Sequence, residues 1–163
     1  MIKGIHHTAI STPNLDRLVA FYRDVMGFEV TKEGRWANNP VNDRIIGLAG
    51  SAARSVKLRA GNAYLEFFEY SAPTPQPGDP NRPPHHHGYT HIALEVTDID
   101  AEYERLTKAG VKFNCPPPLI EGGQVRAAYG RDPDGNIIEI LEIITESIGL
   151  RLEQAGLKGT VTA

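Results

Sequence analysis

The chain has 163 residues, a formal net charge of −3 and a single cysteine. A domain of this length buries roughly two-thirds of its unfolded surface, so it needs no disulfide to fold. The sequence contains no basic run that would attract nucleic acid. It also contains no apolar run of the length that a signal peptide or a membrane span requires. We therefore expect a cytoplasmic globular protein that binds neither nucleic acid nor a membrane.

The first predicted elements are a strand around His7 and a helix that follows a polar turn. Asn14 or Asp16 can cap this helix, and Gly27 ends it, as a glycine just past a helix commonly does. Apolar residues recur along it at helical spacing, at Leu15, Leu18, Val19, Tyr22, Val25 and Met26. A strand is predicted to resume at Phe28.

A long insertion, about residues 34–51, carries the only tryptophan, Trp36. We expect Trp36 either to line a pocket entrance or to pack in a dimer surface. Two strands follow, over 53–59 and 63–70, and Ala60-Gly-Asn between them predicts a hairpin turn. These elements complete a first module, residues 1–72.

A proline-rich segment, residues 73–87, follows the first module. Prolines lack the backbone N–H that a sheet ladder needs, so the segment is predicted to be an extended linker. It ends in His85-His86-His87, which has no counterpart elsewhere in the chain. A flexible loop or an incidental surface metal contact is the favoured interpretation of these histidines.

The second half repeats the first at an offset of 84 residues: Gly88, His91 and Ala93 correspond to Gly4, His7 and Ala9. A second helix starts at Asp98 or Asp100 and ends at Gly110. Strands are predicted over 111–113, 124–129 and 136–142, with the turn Asp132-Pro-Asp-Gly before the last. The prediction is an α+β domain of two tandem βαβββ modules, residues 1–72 and 88–145, followed by a short helix and tail, 146–163.

One histidine and one glutamate recur at equivalent places of the two modules. His7 and His91 lie on the first strands, and Glu66 and Glu139 lie in apolar runs on the last strands. A desolvated carboxylate must be paired, protonated or bound to a metal. A lone strand histidine is more often a core or rim residue, and a strand glutamate can be an edge charge. The coincidence in both modules instead favours a site for Zn, Ni, Co, Mn or Fe(II).

Several polar residues lie near these four in the sequence. His6 and its counterpart Thr90 are predicted to point to the opposite face of their strands. Glu69 and Glu142 are predicted to be solvated. The basic residues that could face an anionic substrate, or only solvent, are Arg54, Lys57, Arg59, Arg126 and Arg131.

The chain resembles the vicinal oxygen chelate superfamily, which includes glyoxalase I, methylmalonyl-CoA epimerase, extradiol dioxygenases and bleomycin resistance proteins. The resemblance covers about residues 3–144. It rests on His7-Thr-Ala-Ile, LDRLVAFYRDVMGF (15–28), Tyr64-Leu-Glu-Phe, His91-Ile-Ala-Leu-Glu-Val and Asp132-Pro-Asp-Gly-Asn-Ile-Ile-Glu. It implies a glyoxalase-like fold with a cupped, mixed and mostly antiparallel sheet. It also implies one divalent metal ion held by His7, Glu66, His91 and Glu139.

The resemblance further implies a small-molecule substrate that binds the metal through two neighbouring oxygens. A His/Glu/His/Glu set looks like glyoxalase I, so a lyase or isomerase is expected. Glu139 or Glu66 would abstract a proton next to a carbonyl, giving a metal-stabilised enediolate. The alternatives are an Fe(II) extradiol-type ring-cleaving dioxygenase and a non-catalytic binding or resistance protein. Modules of this family pair within one chain or across a dimer, and we expect a homodimer.

Overall fold

The computed structural model describes residues 2, 4–120, 122–145 and 150–152. The chain divides between Gly78 and Asp79 into two compact units. No helix in these described ranges has the length and apolar character needed to cross a membrane. The helix predicted after residue 146 falls largely outside the described residues.

Unit one contains a mixed four-stranded sheet with a helix packed on it. Its elements are β1 (His7–Ser11), α1 (Leu15–Ala20), β2 (Glu29–Ala37), α2 (Pro40–Ile46), β3 (Ala52–Ala60) and β4 (Ala63–Ala72). The strand order is β1-β4-β3-β2. The β1 strand runs parallel to β4, whereas β3 is antiparallel to both β4 and β2. Because β1 adds to the outer side of β4, the first and last strands of the module are neighbours.

The first helix forms where the apolar spacing predicted it. The Asn14 side chain accepts a hydrogen bond from the amide of Arg17, and the helix continues into a π-helical turn over Phe21–Val25. Its apolar stripe is buried, with Leu18 fully covered and the Tyr22 ring 4.9 Å from the ring of Phe67 on β4. Burial of each such side chain contributes about 1.5–3 kcal/mol, so this stripe holds α1 on the sheet.

The insertion is folded around a hydrogen-bonded serine. Asp43 on α2 accepts hydrogen bonds from the amides of Gly50 and Ser51, at 2.8 and 2.9 Å, and from the Ser51 hydroxyl, at 2.6 Å. The same hydroxyl accepts a hydrogen bond of 2.8 Å from the indole of Trp36. The Trp36 ring also meets Phe68 edge-on. The tryptophan therefore joins the insertion to the sheet of unit one.

In the residues that the structure describes, unit two contains a three-stranded sheet and one helix. Its elements are β5 (His91–Glu95), α3 (Ile99–Lys108), β6 (Val125–Arg131) and β7 (Ile137–Ile143). The order is β5-β7-β6, with β5 parallel and β6 antiparallel to β7. Asp98 caps α3 through the amide of Ala101. The predicted α+β class, with mixed and mostly antiparallel pairing, is confirmed.

One predicted strand of the second module is not formed. Residues 111–120, all described by the structure, contain no strand, although they contact β6. Hydrogen bonds join the Asn114 amide to the Tyr129 carbonyl, the Ile120 amide to the Val125 carbonyl and the Arg126 guanidinium to the Pro117 carbonyl, and Leu119 forms an isolated bridge with Arg126. Pro116, Pro117 and Pro118 have no N–H to donate to a ladder. The βαβββ order predicted for this module is therefore reduced to βαββ.

The proline-rich segment is divided between the units. The Arg82 guanidinium donates to the carbonyls of His86, His87 and Tyr89 at 2.7–2.8 Å. Arg131 on β6 donates in turn to the carbonyls of Pro80 and Arg82. Residues 80–89 are thus fastened to unit two, whereas residues 73–78 belong to unit one.

Candidate functional site

In unit one, His7 and Glu66 lie side by side. The imidazole Nε2 of His7 is 3.3 Å from Oε2 of Glu66. The parallel pairing of β1 and β4 sets this contact, because the register places Glu66 beside Ala9, two residues along β1 from His7. Alternate strand residues share a face, so both side chains lie on one side of the sheet.

Unit two repeats this arrangement with His91 and Glu139. The imidazole Nε2 of His91 is 3.0 Å from Oε2 of Glu139. Glu139 is beside Ala93 in the parallel register of β5 and β7, which is the relationship seen in unit one. The correspondence read from the sequence is therefore also a correspondence of local geometry within each unit.

The residue before each histidine contacts the other ring nitrogen. His6 Nδ1 lies 2.8 Å from His7 Nδ1, and Thr90 Oγ1 lies 2.8 Å from His91 Nδ1. The sequence did not predict that His6 and Thr90 contact the rings of the histidines that follow them. In metal sites the non-ligating imidazole nitrogen is almost always held by such a partner. The contacts leave Nε2 of both rings available beside a carboxylate.

A further side chain flanks each pair from the neighbouring strand. Lys57 on β3 lies opposite Glu66, with Nζ 3.3 Å from Oε2. Tyr129 on β6 lies opposite Glu139, and its hydroxyl is 3.4 Å from Nε2 of His91. Sequence reasoning singled out Lys57 but missed Tyr129. Its place opposite the glutamate, across the hairpin, is the signal that could have identified it.

Burial shapes the acid–base properties of the second pair. Desolvation raises the pKa of Glu139, and the neighbouring His91 opposes this rise. Burial also raises the pKa of Tyr129, and the negative charge of Glu139 adds to this rise. The phenol is therefore protonated at neutral pH and can donate a hydrogen bond, while Glu139 has a greater proton affinity than an ordinary carboxylate.

The two glutamates predicted to be solvated also accept hydrogen bonds from amides at the helix starts. Glu69 accepts a hydrogen bond of 3.1 Å from the amide of Leu15, and Glu142 accepts hydrogen bonds from the amides of Asp98 and Ile99. Negative charge at a helix N-terminus is favourable because the first amides have no partner within the helix. Glu69 and Glu142 are therefore structural counterparts rather than site residues.

Four of the five basic residues singled out from the sequence are engaged in structural contacts. Arg54 binds Asp16 and Glu69, Arg59 binds Glu29, and Arg126 binds Asp100 through two hydrogen bonds. Arg131 donates to backbone carbonyls. Lys57 alone of these five contacts one of the candidate ligands.

Each histidine–glutamate pair fits a shared metal ion. Donor atoms about 2.1 Å from an ion are separated by about 3.0–3.4 Å when they subtend octahedral or tetrahedral angles, and the pairs are separated by 3.3 and 3.0 Å. Neutral imidazole with carboxylate suits borderline divalent metals. In neither unit do the described residues gather three or more His, Cys, Asp or Glu side chains. Each unit by itself therefore offers two protein ligands.

Comparisons with known proteins agree with this architecture. A family model described as the glyoxalase/bleomycin resistance protein/dioxygenase superfamily matches residues 4–140. A 2-epi-5-epi-valiolone epimerase from an Actinomyces species is 31% identical, covering 86% of this chain and 79% of that protein. A lactoylglutathione lyase from Haemophilus influenzae is 28% identical, covering 90% and 97%. A glyoxalase family protein from Bacillus cereus has the same fold, with a TM-score of 0.79 at 20% identity over 89% of this chain and 97% of that chain.

Proposed function

The chain belongs to the glyoxalase/bleomycin resistance protein/dioxygenase superfamily, and on this premise we propose that it is a metal-dependent lyase or isomerase. His7, Glu66, His91 and Glu139 are the proposed ligands of one divalent ion. The substrate is a small molecule with a carbonyl next to a second oxygen. The proposed reaction begins with removal of the proton on the carbon beside that carbonyl.

The observation that carries the proposal is the pair of equivalent His–Glu contacts. A single contact of this kind is a common structural feature. Two contacts at matching registers, each with Nδ1 of the histidine held by the preceding residue, support a common function for both modules. Because each module supplies two of the four proposed ligands, the proposed site needs both modules. These modules would come from one chain or from two copies.

The side chains have separate tasks in the proposed reaction. When bound, the metal would act as a Lewis acid that stabilises negative charge on the two substrate oxygens. Glu139 accepts the proton from carbon, and the electron pair of the C–H bond moves toward the carbonyl oxygen. Tyr129, protonated beside His91, donates a hydrogen bond to that oxygen. The proton then returns to the neighbouring carbon or to the opposite face of the original one.

The return step distinguishes a lyase or hydroxyketone isomerase from an epimerase. The relatives include an enzyme named as an epimerase and an enzyme named as a lactoylglutathione lyase. Both return routes begin with the same proton abstraction. This shared step, rather than one named substrate, is the activity that we propose for the chain.

The proposal is tested by metal binding and proton exchange. Protein freed of metal is titrated with Co²⁺, and the chain is expected to bind one ion per proposed four-ligand set, whereas His7→Ala and His91→Ala each abolish that binding. The loaded protein is then incubated in D₂O with a 2-hydroxyketone, and separately assayed for lactoylglutathione formation. Deuterium uptake next to the carbonyl, or lactoylglutathione formation, supports the proposal.

Two results would replace this function with another. Oxygen consumption with a catechol, seen only after Fe(II) loading, would favour the ring-cleaving dioxygenase. Tight binding of a small molecule that survives complete metal removal would favour a non-catalytic binding protein. Failure to bind Co²⁺ stoichiometrically would reject the proposed ligand set.

A further inference from the structure

The two His–Glu pairs differ at one position. Lys57 on β3 and Tyr129 on β6 occupy equivalent places, each directly opposite the glutamate of its hairpin. The first places an ammonium group beside a carboxylate, and the second places a neutral phenol near an imidazole. The duplicated scaffold therefore presents its two glutamates in different electrostatic surroundings.

The Lys57 ammonium shares an oxygen with the imidazole of unit one. Oε2 of Glu66 lies 3.3 Å from Nζ of Lys57 and 3.3 Å from Nε2 of His7. Only 21% of the Lys57 side chain and 18% of the Glu66 side chain are exposed. This ion pair is thus largely buried, and water screens its charges less than those of an exposed pair.

We propose that Lys57 is a positioning residue that makes Glu66 the exchangeable ligand of the site and leaves Glu139 as its base. This inference rests on the proposed function, because it concerns the same four ligands. Lys57 acts through Glu66 and needs no contact with the substrate.

The first reason is electrostatic competition. A divalent ion at Glu66 would stand near the Lys57 ammonium, and like charges at such distances repel. An oxygen at ion-pair distance from an ammonium group also binds a cation less strongly, because its negative charge is partly neutralised. Glu66 is therefore the weaker of the two carboxylate ligands.

The second reason is what happens to a carboxylate that leaves the ion. A desolvated carboxylate without a partner is costly. Lys57 lies at ion-pair distance from Glu66, so Glu66 can leave the metal ion and remain an anion. Glu139 makes its ion pair with His91 alone among the described residues. On leaving the ion, Glu139 gains most by taking a proton from the substrate, which is the task of the base.

Three lysine variants test this inference in Co²⁺ titrations followed by visible absorption and chelator competition. Lys57→Met should bind Co²⁺ about tenfold more tightly than the wild type, because the competing charge is gone. Lys57→Arg keeps the charge and should stay within about threefold of wild type. The control Lys108→Met removes a lysine from an exposed Lys108–Glu104 pair, 78% and 70% exposed, and should stay within about twofold.

A lysine with a merely structural role would give a different result. Loss of Lys57 would then leave the Co²⁺ affinity unchanged or weaken it, and either result in a protein with a wild-type circular dichroism spectrum overturns the inference. If the wild type binds Co²⁺ stoichiometrically and Lys57→Met binds no more tightly, only the inference fails. If the wild type has no stoichiometric site, the proposed function and the inference both fail.

Discussion

The hydroxyl of Thr90 lies 2.8 Å from Nδ1 of His91, and His6 contacts Nδ1 of His7 at the same distance. The two modules thus orient their imidazoles through the preceding residue but with different chemical groups. A hydroxyl can donate or accept, and an imidazole can do the same, so either group can hold the tautomer that leaves Nε2 free for an ion. The residue before each histidine therefore helps to set which imidazole nitrogen can bind a metal ion.

Removal of the Thr90 hydroxyl should weaken metal binding. Thr90→Val preserves the side-chain shape but removes the contact with His91, and we expect Co²⁺ affinity to fall about tenfold, the lower end of the usual effect of such orienting groups. Chelator competition measures the change. Thr90→Ser keeps the hydroxyl and should retain affinity within about threefold. Equal losses in both variants would mean that the methyl group, and not the hydroxyl, is responsible.

The two carboxylates should respond differently to the same substitution. Glu139→Gln removes the proposed base and should lower turnover by about 10²–10⁴-fold with little change in the Michaelis constant. Glu66→Gln retains a neutral oxygen ligand and should lower turnover less. Turnover is compared at saturating Co²⁺, with bound metal measured in each sample. Turnover of Glu139→Gln within threefold of wild type, with metal still bound, would contradict the assignment of the base.

The Asp43–Ser51 contact predicts a dependence of stability on pH. Hydrogen bonds from the Ser51 hydroxyl and amide lower the pKa of Asp43 in the folded protein. A lowered folded-state pKa stabilises the fold above the unfolded carboxyl pKa, and this contribution is lost as the pH falls toward the folded value. In urea titrations between pH 7 and pH 3, Asp43→Asn should therefore lose stability most at neutral pH. A constant difference across this range would rule out the linkage.

Glu142 should stabilise the start of α3. Glu142→Ala removes the acceptor for the amides of Asp98 and Ile99, and we expect a loss of about 1 kcal/mol in the free energy of unfolding, as for other helix-start acceptors. Glu104→Ala, on the same helix but in an exposed pair with Lys108, is the control and should cost at most about 0.5 kcal/mol. Equal costs would show that Glu142 is not an effective cap.

Gly135 lies against the backbone of Pro80, in the segment before β5, and its substitution tests how tightly this segment is packed. Its φ is +88°, and a Cβ there would lie 2.2 Å from the carbonyl oxygen of Pro80. Gly47 has a similar φ of +71° but open space around its Cβ position. Gly135→Ala should therefore destabilise the protein by about 1–3 kcal/mol more than Gly47→Ala, measured by urea unfolding. Equal losses would mean that backbone strain alone sets the cost.

Much of this architecture could be predicted from the sequence because its signals are local or repeated. Asn14 and Asp98 cap helices where the apolar stripes begin, and Gly61 lies in the turn between β3 and β4. The offset of the repeat paired His7 with His91. These features depend on neighbouring residues or on self-similarity, both of which one sequence contains.

The remaining features depend on which strands become neighbours. The hydrogen bonds of Glu69 and Glu142 to the helix starts were not predicted, because strand periodicity does not show that a helix start lies beside these residues. Tyr129 has no chemical counterpart in the first module, so the repeat could not identify it. The strand predicted at Val111 failed because the prolines that follow limit its pairing. Whether the four candidate ligands bind one ion stays a prediction.

The hydrogen bonds of Arg82 and Arg131 limit the backbone freedom of the proline-rich segment. They hold residues 80–89 against the rest of unit two, so this part of the segment is not a free linker. Prolines at 73, 75 and 77 have a fixed φ, so few backbone bonds in this segment are free to rotate.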